Sequence, residues 1–200
     1  RSLLVPGLVP TRARDLEEAP GLEDRDEVIN DRPQLGLVTA LRVAGPVLVE
    51  CVHVDGAGLG VLGGRGGYEL SARTAYDCLL SLGRTLGLSS ERLRGKRTAV
   101  QVRSAGSPGE RPEDLGLACA LAILSAASGR PVRPGLAVTG GLTIQGQVCE
   151  SEDLGPRLDS ARRHGRRLVL VPAAQAAEAE ALRHKRTDLD DLEIRPVATL

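Results

Sequence analysis

Residues 117–148, "LACALAILSAASGRPVRPGLAVTGGLTIQGQV", decide the fold of this 200-residue chain. The first part is almost wholly apolar, which predicts a buried helix. Gly129 follows as the residue that most readily ends a helix in the left-handed conformation. The runs "GLAVTG" and "LTIQGQVC" come next and predict two strands.

Toward the N-terminus, two β-rich runs flank a turn signal. "LGLVTALRV" and "PVLVECVHV" are separated by Ala44-Gly45 and predict a hairpin. The glycine-rich run "GLGVLGGRGG" after them predicts a flexible hairpin or a surface loop. "LSARTAYDCLLSLGRTLGL" predicts an amphipathic helix. Its expected apolar face is Leu70, Ala75, Leu79, Leu82 and Leu86.

The remaining runs alternate between the hydrophobic periodicity of a helix and that of a strand. "TAVQVRS" predicts a strand, "AGSPGERPED" a loop, "PRLDSARRHG" a helix and "RRLVLVP" a strand. The helix "AAQAAEAEALRHK" and the strand "LEIRPVA" close the chain. Helices and strands in this mixture predict an α/β or α+β two-layer domain over residues 34–200. Residues 1–33 are charged and interrupted by prolines, so we predict an arm or linker there.

Composition excludes several classes of function. The 26 basic and 26 acidic residues cancel, so no overall field favours nucleic acid or membrane. Tyr68 and Tyr76 are the only aromatic residues, which argues against a stacking platform for single strands. No apolar run approaches the roughly 20 residues of a membrane span, and no signal-peptide pattern is present. We therefore expect a cytoplasmic protein.

Neither a metal nor a nucleotide cofactor is predicted. The glycine-rich run matches neither the phosphate-loop nor the dinucleotide pattern. His53 falls in a predicted strand, while His164 and His184 lie near helix ends, where a cation is mildly stabilising. The sequence leaves a Ser–His–Asp triad as an alternative, although no spacing between these residue types indicates one. Four cysteines form no CxxC pair, and we expect buried, reduced thiols: Cys51, Cys78, Cys119 and Cys149.

The C-terminal run resembles the proteolytic domain of the Lon protease family. The resemblance includes "LDSARRHGRRLVLVP" and reaches back to "LGLVTALRVAGPVLVECVHVDGAGLGVLGG". It implies the fold of ribosomal protein S5 domain 2 and the family's Ser–Lys dyad chemistry, in which a lysine takes the proton of a serine at a helix mouth.

The resemblance maps neither dyad residue onto its expected type. In the ungapped register Asp114 takes the place of the serine, after Glu113, while Gly116 keeps the last glycine of the motif. Gly155 takes the place of the lysine. Thr139 of the Thr-Gly-Glu motif is kept, although the Glu is Gly141. A slip of one or two residues would bring Glu113 or Leu115 to the serine position, which restores no nucleophile. The interpretation of Asp114 is a helix cap, with contact to a ligand or partner as the alternative.

Three functions follow from the resemblance. The first is a non-catalytic, self-associating scaffold, since Lon-like domains commonly form six-membered rings beside an ATPase module, here upstream or in trans. The second is nucleic-acid handling, as in the similar domains of RadA-type repair ATPases and of competence ATPases related to magnesium chelatase. The contacts would be the cluster Arg162, Arg163, Arg166 and Arg167. The third is a peptidase with a rearranged site.

Overall fold

The computed structural model describes residues 33–62, 68–88, 90–103 and 115–200. The described strands are β1 (Leu37–Ala40), β2 (Val47–Val54), β3 (Gly58–Leu62), β4 (Arg97–Arg103), β5 (Leu136–Val138), β6 (Gly141–Leu142), β7 (Val148–Cys149), β8 (Leu168–Pro172) and β9 (Glu193–Val197). They form a seven-stranded mixed sheet in the order β3-β4-β2-β1-β5-β8-β9 and a separate two-stranded ribbon, β6–β7.

The described helices are α1 (Tyr68–Leu82), α2 (Ser90–Arg94), α3 (Gly116–Ser128), α4 (Leu154–Arg163) and α5 (Ala176–Lys185). Short 3₁₀ helices cover Ala173–Gln175 and Thr187–Leu189. This mixture of helices and strands confirms the predicted α/β class. The predicted arm over residues 1–33 lies almost wholly outside the described residues, as does the loop at 105–114, so both remain predictions.

The N-terminal hairpin is confirmed. β1 and β2 pair antiparallel, with Ala40 opposite Val47 at the end nearest the turn. β2 then pairs antiparallel with β4, so β2 has a strand on each side. Alternate β2 residues are buried, as expected when only one face of a strand packs on the core.

The loop prediction for the glycine-rich run is wrong at Gly58–Leu62, which forms β3. This strand pairs in parallel with β4, from Gly58 opposite Arg97 to Leu62 opposite Gln101. Leu59 and Val61 pack against the core. Alternate apolar side chains therefore decided the structure of this segment, despite the conformational freedom of its glycines.

The predicted helix α1 is confirmed, but its apolar face is not as expected at Leu70. That side chain is 57 % exposed, whereas Ala75 and Leu79 are fully buried. Five residues separate Leu70 from Ala75, which turns the helix by about 140° from one face to the other. The helical segment ends at Leu82, and Leu86 lies beyond it, partly buried against the core.

Helix α3 is the centre of the larger core cluster. It packs against α1 and against β1 and β2, and most of its residues are buried. Gly129 ends it with φ of 70°, and its N–H donates to the carbonyl of Ser125 at 3.0 Å. Both the burial of this helix and its C-terminal glycine are as predicted.

Helices cover opposite faces in the two halves of the sheet. Val138 of β5 joins the cluster under α1 and α3, while the preceding Ala137 joins a second cluster with Leu158 of α4 and Ala179 of α5. Neighbouring residues of a strand point to opposite faces, so α4 and α5 lie behind the sheet when α1 and α3 lie in front.

The prediction of a single strand over "LTIQGQVC" is wrong. This run instead contains Leu142, the end of β6, and β7, joined by a turn at residues 143–147.

The cysteine prediction holds at three of its four positions. Cys51, Cys78 and Cys119 are buried free thiols, and burial raises the pKa of Cys51 and of Cys119 to about 12. Cys149 is exposed, because it lies at the end of the small ribbon.

In the described part of the chain no helix combines the length and hydrophobicity that a bilayer crossing requires.

Two glycines at helix starts should respond in opposite ways to a methyl group. A Cβ on Gly116 would lie 2.5 Å from the backbone nitrogen of Leu142. Gly116→Ala should therefore lower the free energy of unfolding by about 1–3 kcal/mol. A Cβ on Gly155 would lie 3.7 Å from Leu182, an ordinary contact. Gly155→Ala is the matched control and should stabilise by up to about 1 kcal/mol. Urea unfolding of both variants measures the difference, and equal shifts would contradict this packing.

Candidate functional site

The candidate site begins at the N-terminus of α3. Leu115 is the N-cap residue, with φ of −97° and ψ of 1°, and its side chain makes no capping hydrogen bond. Glu113 and Asp114 lie outside the described residues, so the capping role of Asp114 stays a prediction. The structure does define the surface against which this end of the helix packs.

The first turn of α3 lies directly on the segment between β5 and β6. The N–H of Leu117 donates to the carbonyl of Gly140 at 3.2 Å, so one helix-end donor is satisfied by this segment. Gly116 has no space for a side chain against Leu142. The glycine that the resemblance retains is therefore required here by packing, independently of any chemistry.

Thr139 is buried at the end of β5, one residue before that contact. Its backbone N–H donates to the carbonyl of Leu170 at 3.0 Å. Its hydroxyl forms a hydrogen bond of 2.8 Å with the hydroxyl of Ser151, which is also buried. The predicted site residues Thr139 and Gly116 therefore lie close together, because Thr139 precedes Gly140 and Gly116 precedes the Leu117 that donates to Gly140.

Gln175 completes a polar network that sequence reasoning missed. Its side-chain oxygen accepts from the N–H of Ser151 at 3.0 Å, and its side-chain nitrogen donates to the carbonyl of Ser151 at 2.9 Å. The same nitrogen donates to Glu178 at 3.0 Å. A lone Gln within an alanine-rich run was the only sequence signal for this role.

Gly155 is the second residue of α4 and is partly buried. It lies four residues beyond Ser151 along the chain, and Leu182 of α5 is the nearest neighbour that a side chain on it would contact. The position offers neither a donor nor an acceptor side chain. The backbone would accept a larger residue at its base, because an added Cβ makes only an ordinary contact.

A buried arginine holds α4 in place. Arg157 is 1 % exposed, and its guanidinium donates to the carbonyl of Glu152 at 2.7 Å and to the carbonyl of Leu41 at 2.6 Å. These bonds join the first turns of α4 to the end of β1. Charge-assisted bonds of this kind are stronger than neutral ones, so they fix the start of the helix that carries Gly155.

Neither of the chain's two lysines belongs to α4. Lys96 immediately precedes β4 and forms an ion pair of 3.6 Å with Asp55. It lines a cavity together with Ala126 and Ala127, near the C-terminal end of α3. Lys185 is exposed at the end of α5.

Among the serines, Ser125 lies in the last turns of α3, where it accepts from Gly36 at 3.0 Å and donates to the carbonyl of Arg130 at 2.6 Å. Ser104 and Ser107 lie outside the described residues. Ser125 is thus committed to backbone partners at the far end of the helix.

The predicted basic cluster lies at the end of α4 and in the turn that leads to β8. Arg162 forms an ion pair with Asp188 at 3.2 Å. Hydrogen bonding from Arg186 lowers the pKa of Asp188, which keeps this partner ionised. Arg163 and Arg167 are exposed and Arg166 is partly buried. The four arginines are close in the chain, but at least one already has an internal carboxylate partner.

Comparisons with known proteins agree with this arrangement. The Lon protease (S16) C-terminal proteolytic domain family matches residues 11–200. The chain belongs to this family. The match begins inside the predicted arm, whose boundary stays a prediction.

Curated relatives are Lon proteases from several bacteria. Lon protease of Salinispora arenicola is 31 % identical over 188 residues, covering 84 % of this chain and 23 % of the relative. Lon protease of Xanthomonas oryzae pv. oryzae is 30 % identical over 197 residues, covering 95 % of this chain and 23 % of the relative. The chain therefore spans about a quarter or less of the length of these relatives.

The network around Ser151 should matter for stability. Gln175→Leu would leave the buried N–H and carbonyl of Ser151 without partners, because Thr139 contacts only its hydroxyl. We expect a loss of about 2–4 kcal/mol in the free energy of unfolding, the cost of two unsatisfied buried backbone groups. Urea unfolding measures it, with Gln101→Leu on the exposed face of β4 as the matched control. A loss no larger than that of the control would show that the network does not hold α4 against β5.

Proposed function

We propose that this Lon-type proteolytic domain no longer hydrolyses peptides by Ser–Lys chemistry and serves as a ring-forming scaffold or substrate-handling domain. The observation that carries the proposal is Gly155 in the first turn of α4, at the position that the resemblance assigns to the lysine. A glycine cannot take the proton of a nucleophile.

The nucleophile position supports the same conclusion. Asp114 takes the place of the serine in the ungapped register. A carboxylate is a weak acyl nucleophile, and its acyl product would be an anhydride.

Neither lysine of the chain lies on α4, where the resemblance places the base. Lys96 lies beside Ala126, ten residues beyond Gly116 along α3, which corresponds to about 15 Å of helix. Lys185 is exposed at the end of α5.

A scaffold role is supported by what the domain keeps. The core under α3 is apolar, and among the described residues the helix mouth is held by the packing of Gly116 on Leu142 and by the Gly140 carbonyl. Lon-like domains commonly assemble into six-membered rings beside an ATPase module. Because the chain spans only part of the length of its relatives, such a module would belong to the same polypeptide or to a partner.

Peptidase assays on casein and on short peptides test the loss of chemistry. The unchanged chain and the single variants Asp114→Ser and Gly155→Lys should cleave at the buffer rate. The double variant should exceed the singles by on the order of 10²-fold, since a positioned general base contributes about 10²–10⁴-fold. Cleavage by the unchanged chain that survives Asp114→Ala would contradict the proposal and indicate a rearranged site. A folded but inert double variant would remove support for the assigned register.

Light scattering on a sizing column tests the ring. A hexamer should have a light-scattering mass six times the 21.0 kDa of one chain, and dilution should release smaller species. A strict monomer over a wide concentration range would contradict the ring while leaving the loss of peptidase chemistry standing, so the two parts of the proposal can fail separately.

A further inference from the structure

A cavity of about 540 Å³ lies at the C-terminal end of α3, opposite the helix mouth. The end of β2, helix α2, the turn before β4 and the last turns of α3 line it, and it is open to solvent. Its volume falls within the range of about 300–1,000 Å³ that small-molecule sites occupy. Ala126 and Ala127 form an apolar wall, and His53, Arg92 and Lys96 are among the polar side chains that line it.

His53 is the imidazole in the lining of this cavity. Its Nδ1 lies 3.3 Å from the hydroxyl of Thr98 on the neighbouring strand. Its Nε2 is inaccessible to solvent and lies against the backbone of Ile123 in α3.

The cations of the cavity are only weakly engaged. Arg92 donates one hydrogen bond to the carbonyl of Ala127 at the long distance of 3.4 Å. Lys96 pairs with Asp55 at 3.6 Å, and the Asp55 side chain is fully exposed. Exposed pairs of this kind contribute little free energy, so a ligand can replace Asp55. Glu91 is the carboxylate in the lining, which leaves one positive charge in excess.

We propose that this cavity binds a small organic anion, with its acidic group between Arg92 and Lys96 and its apolar part against Ala126 and Ala127. The guanidinium presents several donors in one plane and suits carboxylate or phosphate oxygens. The ammonium of Lys96 supplies a second, mobile cation. The proposal is independent of the peptidase question, because the cavity and the helix mouth lie at opposite ends of α3.

The imidazole of His53 provides the readout. Burial lowers the pKa of His53, the Ile123 backbone opposes that shift, and Lys96 adds the smallest contribution, which lowers the pKa further. A bound anion favours the protonated ring, so a ligand should raise this pKa. By linkage, the anion should bind more tightly as the pH falls through the raised pKa of the complex.

The experiment is an NMR titration of the His53 ring in the full chain. Three probes are added at equal ionic strength: butyrate, its uncharged analogue butyramide, and inorganic phosphate. A rise in the His53 pKa with butyrate but not with butyramide supports a carboxylate ligand, and a larger rise with phosphate supports a phosphate ester. No rise with either anion, or an equal response to butyramide, overturns the proposal.

Two variants of the same ion pair make the test specific. Lys96→Gln should weaken butyrate binding on the order of tenfold, the loss of one close charge contact. Asp55→Asn should strengthen it, because the competing carboxylate is gone. Lys185→Gln, an exposed lysine on α5, is the control and should leave binding unchanged. Equal binding by Lys96→Gln and by the control overturns the proposal, even where the unchanged chain responds to butyrate.

Discussion

The close approach between the first turn of α3 and the segment Gly140–Leu142 is the contact on which the rest of the domain depends. Gly116 has no space for a Cβ there, and Leu117 donates directly to the Gly140 carbonyl. Gly140 itself has a positive φ of 117°. Because α3 in turn packs on α1, β1 and β2, a displacement at this point would be transmitted through the larger core cluster. Close-packed interiors do not absorb such shifts locally.

Buried polar groups position the second half of the domain. The hydrogen bond between Thr139 and Ser151, and the bonds from Ser151 to Gln175, connect the end of β5 to the segment before α4 and to the start of α5. Arg157 connects α4 to the end of β1. A buried guanidinium is stabilising only when its donors are satisfied, and here two backbone carbonyls accept from it. The apolar cluster in this half is smaller than the one around α3, so these polar bonds fix the orientation of α4 and α5.

Local sequence rules predicted the elements whose signals are local. The sequence predicted helix α3 with its terminal Gly129 and the hairpin with Ala44-Gly45. In each of these segments the hydrophobic period and the turn residue agree. The strand β3 was missed because its pairing with β4 is a long-range property that its glycines conceal. Ser151 and Gln175 were missed for the same reason, since 24 residues separate the two partners. The resemblance located Gly116, Thr139 and Gly155. It could not describe the contacts that determine what each of them does.

Packing alone accounts for the glycine that the resemblance retains at the start of α3. Selection on peptide hydrolysis would act on the nucleophile and on the base, but Gly116 is held by contact with Leu142, and Thr139 by its bond to Ser151. These constraints act on folding, so they do not depend on peptide hydrolysis. Gly155 has no such constraint, because a side chain there would make only an ordinary contact with Leu182. The positions that packing requires match the Lon pattern, whereas the position that the resemblance assigns to the lysine is a glycine that packing does not require.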